Sequence, residues 1–379
     1  MVHHKLVKGR ESIDMNRRQF IGGALAASAA TWASGCGGFG VRHASRPVKF
    51  LFMTDIHVES DFMEHGHECF PMWRAGNHAA LRRTYQFINE DPFCRDAAFA
   101  LFGGDQLNTG YIYKPEDLEA ERRIYHDALM RLDLHGKTLH TDLSDLKFRF
   151  APTYMNRKQL FSHPDLSSRV IAIQGNHDTG VEEFYRNCSF QSGPVRFICF
   201  FASYIALPAP PGKYRSTGGI SDETIAFIER EMKLASKDPE IRHIVLVSHW
   251  SIVTGNPNFY VPILDACKEN KFNGNRRRLL DLAEKYGCSL YISGHEHNGN
   301  FPVGQAGPLF DISCGTVTGT KGSWAIAEID DDRVVFSIYS RAEAKGPQDA
   351  AREDEVVFTR LPQRLFTREI PLTPKNEVS

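Results

Sequence analysis

Five apolar runs of this chain each lead directly into residues whose side chains can bind metal ions. The candidate ligands are Asp55, His57, Asp105, Asn176, His249, His295 and His297, with His177 and Asp178 beside them. Imidazole and carboxylate donors without a thiolate suit Zn, Fe, Mn or Co, whereas thiolates would indicate structural zinc or copper(I). A calcium or magnesium site would need more oxygen ligands and fewer imidazoles. The donor types therefore predict a transition-metal site.

Each donor follows a segment that is expected to be a buried strand. The apolar runs cover residues 50–53, 98–102, 170–173, 244–247 and 290–293. A run of roughly four to six apolar residues stopped by glycine or a polar group is typical of a strand buried on both faces. Such sheets place their chemistry at the carboxyl ends of their strands. We therefore expect donors as far apart in sequence as Asp55 and His297 to converge on one edge of one sheet.

The number of donors indicates two ions. Seven ligands are too many for one tetrahedral ion, but they suit two ions that share a carboxylate. Two metal ions about 3.5–4 Å apart can bind both the attacking and the leaving oxygen of an in-line displacement at phosphorus. They also lower the pKa of a bound water, so that hydroxide is available near neutral pH. The donor set therefore predicts a dinuclear phosphoesterase site.

The order of the five blocks carries a resemblance to a known family. Asp-x-His, Gly-Asp, Gly-Asn-His-Asp, Ser-His and Gly-His-x-His, in this order, resemble the calcineurin-like metallophosphoesterase superfamily over roughly residues 48–300. A single block occurs by chance in most chains, but five in order, each ending an apolar run, form a specific signal. The resemblance implies an α/β fold, a two-sheet β-sandwich flanked by helices in four αββα layers.

The resemblance also implies a role for each donor. Asp55, His57 and His297 would hold one metal ion, Asn176, His249 and His295 would hold the other, and Asp105 would bridge them. The cofactors would be two divalent or trivalent transition-metal ions, with Mn, Fe and Zn as the open alternatives. The nucleophile would be a hydroxide that bridges the two ions and attacks phosphorus.

Two further residues are assigned catalytic roles by the resemblance. His177 would face the leaving-group oxygen and stabilise or protonate it. Asp178 would fix the tautomer and the orientation of that imidazole. Purple acid phosphatases have a tyrosine ligand three residues after the bridging aspartate, where this chain has Asn108. A ferric–tyrosinate centre is therefore not expected, and a phosphodiesterase-like or broad-specificity phosphatase is favoured.

A different class of function must be weighed against catalysis. The chain could be a metal-binding but non-catalytic surface protein whose rim loops engage a partner. The pair His177 and Asp178 separates the two hypotheses, because a scaffold kept for binding alone has no use for it. Both residues are present, which favours an enzyme whose substrate is a small-molecule phosphate ester.

Residues 1–46 are interpreted as an export signal and a short linker. Arg17 and Arg18, followed by Phe20 and a mildly apolar stretch, resemble a bacterial twin-arginine signal. That stretch is too short and too rich in Ala, Gly and Ser to be a good transmembrane helix. Cys36 stands where a lipoprotein cleavage box would place the lipid-bearing residue. The expected product is exported, either as a lipoprotein anchored in the membrane or as a soluble periplasmic enzyme; the alternative is the N-terminal helix of a cytosolic protein.

Residues 47–379 are expected to form one metallophosphoesterase domain with insertions near residues 59–76 and 109–166. Both insertions follow strand ends that carry ligands, so both are expected to lie over the rim of the site. Their aromatic side chains would contact the substrate or form a small satellite core.

The rest of the chain predicts ordinary elements. Helices are expected to begin at Asn77, Pro115, Ser221 and Arg276, a hairpin is expected over residues 324–339, and an edge strand after Phe366. Cys199 and Cys314 lie in strand-like runs and are expected in the core. The net charge of −1 gives no electrostatic footprint for nucleic acid.

Overall fold

The fold was analysed in a computed structural model of the chain. The structure describes residues 47–58, 76–108, 115–134, 149–150, 170–178, 184–209, 216–255, 260–267, 272–297, 300–317, 322–340 and 363–375. These residues belong to one compact unit, Ser45–Ser379. The predicted export signal lies outside the described residues, as does the first predicted insertion up to residue 75.

Strands dominate the described part of the chain. In chain order the elements are β1 (Val48–Met53), α1 (Gly76–Glu90), α2 (Pro92–Arg95), β2 (Ala100–Phe102), α3 (Pro115–Leu129), β3 (Arg149–Phe150), β4 (Val170–Ala172), β5 (Cys188–Ser192), β6 (Val195–Cys199), β7 (Ser203–Ala206), β8 (Ser216–Gly219), α4 (Asp222–Lys237), β9 (His243–Val247), β10 (Tyr260–Val261), β11 (Ala266–Cys267), β12 (Phe272–Asn273), α5 (Arg276–Tyr286), β13 (Leu290–Ser293), β14 (Val303–Ala306), β15 (Leu309–Ser313), β16 (Ser323–Ile329), β17 (Arg333–Ser340) and β18 (Gln363–Pro371).

The first large sheet has six strands in the order β18-β17-β16-β1-β2-β4. β1, β2 and β4 are parallel, with Leu51 opposite Ala100 and Ala100 opposite Val170. β16, β17 and β18 extend the sheet as an antiparallel meander beside β1. The parallel half therefore ends its strands at one edge, where the first three metal-ligand blocks follow.

The second large sheet has seven strands in the order β14-β15-β13-β9-β6-β5-β3. Its centre is parallel, formed by β15, β13, β9 and β6. The blocks that contain His249 and His295 follow β9 and β13. The expectation that all ligands lie on one edge of one sheet is therefore wrong, because two sheets share them. Apolar runs alone do not reveal which strands pair.

Three apolar clusters arrange the two sheets and the helices in layers. One cluster lies between the sheets and joins, among others, Phe50 and Leu101 of the first sheet to Phe197 and Val245 of the second. A second cluster packs α1 and α3 on the outer face of the first sheet. A third packs α4 and α5 on the outer face of the second sheet. The predicted four-layer sandwich is confirmed.

Most of the predicted elements are present. α4 begins after Ser221, whose Oγ accepts a hydrogen bond from the backbone amide of Thr224 at 3.1 Å, as expected for an N-cap. α1 begins at Gly76, one residue before the expected Asn77. The hairpin of β16 and β17 and the edge strand β18 are confirmed. The sequence thus predicted where α4 and α1 begin to within one residue.

Two elements of the second predicted insertion fall within the described residues. Its described parts are α3, which packs through Tyr125 and Leu129 on the first sheet, and β3, which pairs at the edge of the second. For α3 the rim prediction is wrong, because its apolar face belongs to the helix layer. The remainder of this insertion lies outside the described residues.

The cysteines whose side chains the structure describes lie in the core. Cys94, Cys188, Cys199, Cys288 and Cys314 are buried free thiols, so the expected core positions of Cys199 and Cys314 are confirmed. None of the helices within the described ranges is long and apolar enough to cross a membrane.

Candidate metal centre

The loops after β1 and β2 lie side by side and carry the first ligands. The amide of Asp55 donates to the carbonyl of Gly104, and that of His57 donates to the carbonyl of Asp105, both at 3.0 Å. Thr316 fixes the other side of this loop, because its Oγ1 donates to the carbonyl of Asp55 at 2.7 Å. Asp55, His57 and Asp105 are buried. Their positions are thus set by main-chain bonds that continue the parallel pairing beyond the strand ends.

The loop after β13 joins the second sheet to the first. The amide of Gly294 donates to the carbonyl of His249 at 3.0 Å. The amide of His295 donates to Oδ2 of Asp55 at 2.9 Å. A Cβ on Gly294 would lie 2.0 Å from Oγ1 of Thr54, so a side chain at this position would separate the two loops. Glycine therefore allows the two sheets to share one site.

The first group of side chains that could hold a metal ion is formed by Asp55, His57 and His297. Nε2 of His297 lies 2.9 Å from Oδ1 of Asp55. Nε2 of His57 lies 3.1 Å from Nε2 of His297 and 3.7 Å from Oδ1 of Asp55. Three donor atoms from two loops thus face one point.

The second group is formed by Asp105, His249 and His295. Nε2 of His249 lies 3.1 Å from Oδ2 of Asp105 and 3.0 Å from Nδ1 of His295. The same oxygen of Asp105 lies 3.6 Å from Nε2 of His57 in the first group. One carboxylate oxygen therefore faces both groups, as the bridging role requires.

Asn176 and His177 follow β4 and complete the set of predicted residues. Asn176 is buried and follows Gly175, where an added Cβ would overlap with Asp105. The amide of His177 donates to Oδ1 of Asp105 at 2.8 Å. The ring of His177 lies farther out, with 26% of its side chain exposed and Nε2 4.0 Å from Oδ2 of Asp105. His177 is thus beside the shared carboxylate and accessible from outside.

Asp178 does not orient His177, so that expected role is wrong. Its carboxylate accepts hydrogen bonds from the backbone amides of Gln106 and Leu107 at 3.0 Å and of Gly175 at 2.9 Å. Asp178 therefore fastens the loop after β2 to the loop after β4. A motif gives the order of residues, but not which way the carboxylate next to a histidine points.

Asn108 takes the role that was expected of Asp178. Its backbone carbonyl lies 2.8 Å from Nδ1 of His177, and its Oδ1 lies 3.1 Å from Nδ1 of His57. Because a carbonyl oxygen only accepts, Nδ1 of His177 must carry the proton. Nε2 of both rings then faces the site. The sequence showed Asn108 only as the absence of a tyrosine.

Five of the predicted ligands have a backbone conformation that is unusual for residues with a side chain. The φ angles are 53° for Asp55, 46° for His57, 53° for Asp105, 69° for His295 and 48° for His297. A non-glycine residue with φ in this region costs on the order of 1–3 kcal/mol, and such residues cluster at functional sites. The fold holds this strain in place through the main-chain bonds between the loops.

The buried carboxylates of Asp55 and Asp105 stabilise positive charge in this site. Burial lowers the pKa of His249, but the attraction of Asp105 and Asp55 outweighs it and raises the pKa to about 9. Burial raises the pKa of Asp105, but His249 and His177 outweigh it and bring the pKa below its usual range. Burial also lowers the pKa of His57 to about 4, which keeps that ring neutral at neutral pH.

The position of His295 also depends on a tryptophan. The indole of Trp250 packs on the imidazole of His295 with ring centroids 3.7 Å apart. A Cβ on Gly218 would lie 2.5 Å from Cγ of Trp250, so this glycine of β8 leaves room for the indole. Sequence patterns do not indicate the contact between Gly218 and Trp250, because β8 and the segment after β9 are separated along the chain.

The donor set is compatible with a centre for divalent metal ions. Metal-binding histidines usually donate their second ring N–H to an oxygen acceptor. Nδ1 of His249 lies 3.0 Å from the carbonyl of Gly103, and Nδ1 of His57 has Asn108 as its acceptor. In both rings Nε2 remains for a metal ion. Nitrogen and carboxylate oxygen are donors that Zn, Fe and Mn accept.

The sequence of the chain matches one family along most of this fold. The sequence model described as calcineurin-like phosphoesterase matches residues 48–299, which is more than half of the chain. None of the curated proteins compared with the chain matches it significantly in sequence.

Several solved structures are similar at low sequence identity. GAP50, the anchor in the inner membrane complex of Plasmodium, is 13% identical over 88% of this chain and 91% of its own, with a TM-score of 0.42. Purple acid phosphatase PPD1 from yellow lupin (Lupinus luteus) seeds is 12% identical over 86% of this chain and 54% of its own, with a TM-score of 0.43. Sulfate thiohydrolase SoxB from Thermus thermophilus is 13% identical over 86% of this chain and 56% of its own, with a TM-score of 0.35. This chain thus spans about half the length of the last two.

Replacing Asn108 by Ala should weaken metal binding. The change removes the acceptor for Nδ1 of His57, and losing such a partner typically lowers metal affinity about 10–100-fold. Asn108→Asp keeps an acceptor and serves as the matched control. Metal content after dialysis, measured by elemental analysis, reports the effect. Equal metal content in Asn108→Ala and the unchanged protein would contradict the assigned contact.

Proposed function

This chain belongs to the calcineurin-like phosphoesterase family, and from that premise we propose that it is a metal-dependent hydrolase of phosphate esters. The observation that carries the proposal is the placement of His177. Its ring lies beside the shared carboxylate of Asp105 and is partly exposed, while its Nδ1 is held by the carbonyl of Asn108. The candidate metal site thus lies next to His177, an accessible side chain that can act as an acid or a base.

The metal-binding residues divide as the donor groups do. Asp55, His57 and His297 would hold one ion, Asn176, His249 and His295 would hold the second, and Asp105 would be shared by both. When bound, two such ions polarise the phosphoryl oxygens and lower the pKa of water. The identity of the ions, Mn, Fe or Zn, is left to measurement.

His177 acts on the leaving group in this proposal. With Nδ1–H bound to the carbonyl of Asn108, Nε2 is the atom that can hold a proton toward the substrate. A protonated Nε2 gives its proton to the departing ester oxygen, so that the leaving group departs as a neutral alcohol. Because the ring orientation is already fixed, the proton transfer has a smaller entropic cost.

The absence of a tyrosine ligand supports an activity other than that of a purple acid phosphatase. Asn108 occupies the position of the tyrosine of purple acid phosphatases and binds two histidines instead. We favour phosphodiesterase-like or broad-specificity activity on small-molecule phosphate esters. The alternative is a non-catalytic metal-binding protein. That alternative does not explain why His177 lies beside the candidate metal site.

The location proposed for this enzyme is outside the inner membrane. Arg17, Arg18 and Phe20 support export by a twin-arginine pathway, which handles folded proteins and so fits an enzyme that binds its metal ions before export. Cys36 supports a lipid anchor at the mature N-terminus. These residues precede the catalytic domain, since the first ligand is Asp55.

The purified protein should contain about two transition-metal ions per chain, and a chelator should abolish hydrolysis. Asp105→Ala should lose both metal and activity, because it removes the carboxylate that offsets repulsion between two dications. Elemental analysis and an assay on a panel of phosphomonoesters and phosphodiesters test this. An active enzyme with one ion or none would refute the dinuclear assignment.

Replacing His177 by Ala should separate metal binding from catalysis. The metal content should stay unchanged while turnover falls by roughly 10²–10⁴-fold, the usual range for a general acid–base group. The loss should be smaller for substrates with good leaving groups such as nitrophenol, which need little protonation. Loss of metal from this variant would show that His177 is a ligand, and unchanged turnover would refute its role as the general acid.

Replacing Arg17 and Arg18 together by Lys should leave active enzyme in the cytoplasm, because lysine lacks the planar fork of donors of arginine. Cys36→Ser should keep export but release the protein from membrane fractions if Cys36 carries a lipid. Cell fractionation with an activity assay measures both effects. Activity outside the inner membrane in the double-lysine variant would exclude the twin-arginine pathway.

A further inference from the structure

A buried carboxylate outside the ligand set lies where the loops of the second sheet meet. Asp311 is in β15, and its side chain is fully buried. Within the described part of the chain no lysine, arginine or histidine forms an ion pair with it. A buried charge of this kind is costly unless hydrogen bonds stabilise it. Its hydrogen-bond partners therefore indicate what it is for.

One oxygen of Asp311 binds three consecutive amides of the segment that follows His249. The backbone N–H groups of Ile252, Val253 and Thr254 donate to Oδ2 at 2.8, 2.7 and 3.1 Å. Successive amides that converge on one anion fix the path of a loop, because each amide must point inward. Asp311 therefore determines the course of residues 252–254.

The other oxygen of Asp311 binds the strand that leads to His295. Oγ of Ser293, the last residue of β13, donates to Oδ1 at 3.0 Å. His295 follows two residues later. A single carboxylate therefore links the segment after one ligand strand to the end of its neighbour.

The linked segments meet again at the metal centre itself. Trp250 follows His249 directly, and its indole packs on the ring of His295. Its carbonyl accepts a hydrogen bond from Oη of Tyr291 at 2.6 Å. Displacing residues 252–254 would therefore move Trp250 relative to β13. This movement would change the distance between Nε2 of His249 and Nδ1 of His295, which is 3.0 Å.

We propose that Asp311 is a positioning residue that sets the separation of His249 and His295 and thereby controls occupancy of the second metal site. The inference rests on the metal centre of the proposed function. It assigns no contact between Asp311 and a metal ion or the substrate. Asp311 acts through the backbone of residues 252–254 and through Ser293.

The test is a titration of the metal-free full-length protein with Co²⁺, followed by its absorption spectrum, which reports ligand geometry independently of activity. Asp311→Ala should keep one Co²⁺ site and weaken the other by about 10-fold, the lower end of the range for a direct partner of a metal ligand, because Asp311 acts through the backbone. Asp311→Asn should lose much less, because its amide oxygen can still accept from the three amides and its NH₂ can donate to Ser293.

Glu231→Ala is the matched control. Glu231 of α4 is also a buried carboxylate and accepts hydrogen bonds from Ser189 at 2.7 Å and Arg230 at 3.2 Å. Neither of these two residues lies in the loops that carry the ligands. This variant should lose stability in thermal unfolding yet bind Co²⁺ as the unchanged protein does.

Three outcomes would overturn the inference: unchanged Co²⁺ binding by Asp311→Ala, an equal loss in Asp311→Asn, or an equal loss in Glu231→Ala. If Asp311→Ala does not fold, Ser293→Ala decides, since it removes the donor to Oδ1 and leaves the three amide contacts of Oδ2 in place; unchanged affinity at both sites would then refute the positioning role. Unaltered protein that binds fewer than two Co²⁺ ions would refute the dinuclear centre itself. Absence of phosphoester hydrolysis would refute only the proposed function, because the titration does not depend on it.

Discussion

Burial of the carboxylate of Asp105 is the constraint on which the site depends. Only 1% of this residue is exposed, so water cannot stabilise its charge. The imidazole of His249, whose Nε2 lies 3.1 Å from Oδ2, and the backbone amide of His177, which donates to Oδ1 at 2.8 Å, stabilise it instead. A negative charge held in this way, next to Asp55, attracts cations strongly. The two sheets, their glycines and the left-handed ligand residues all serve to bring these groups within reach of one another.

The ligands are divided between two sheets, and this couples the metal centre to the packing of the sandwich. Asp55 and Asp105 follow strands of the first sheet, whereas His249 and His295 follow strands of the second. An ion bound through ligands from both sheets resists their separation, and binding to the folded state alone stabilises that state. Metal binding and the integrity of the apolar layer between the sheets therefore support each other.

The sequence predicted those features that depend on local pattern. The five apolar runs, their terminal ligands, the N-cap at Ser221 and the hairpin of β16 and β17 could be identified because each involves neighbouring residues. Features that depend on distant contacts could not. The division of strands between sheets, the partners of Asp178 and the double contact of Asn108 arise only when loops far apart in sequence pack together. Asp311 had no motif to mark it, since it is a strand residue among apolar neighbours.

The pairing of β1 has a consequence for synthesis of the protein on the ribosome. β1 lies between β2, which follows it closely, and β16, with Val48 opposite Ile329. One edge of this apolar strand therefore lacks its partner until the ribosome has synthesised the chain from β1 to β16. At usual translation rates this takes on the order of ten seconds or more. An open strand edge of this kind is prone to pair with other chains. The nascent protein consequently needs protection from aggregation until residues near 329 have emerged, and truncation before β16 removes the strand that closes this edge.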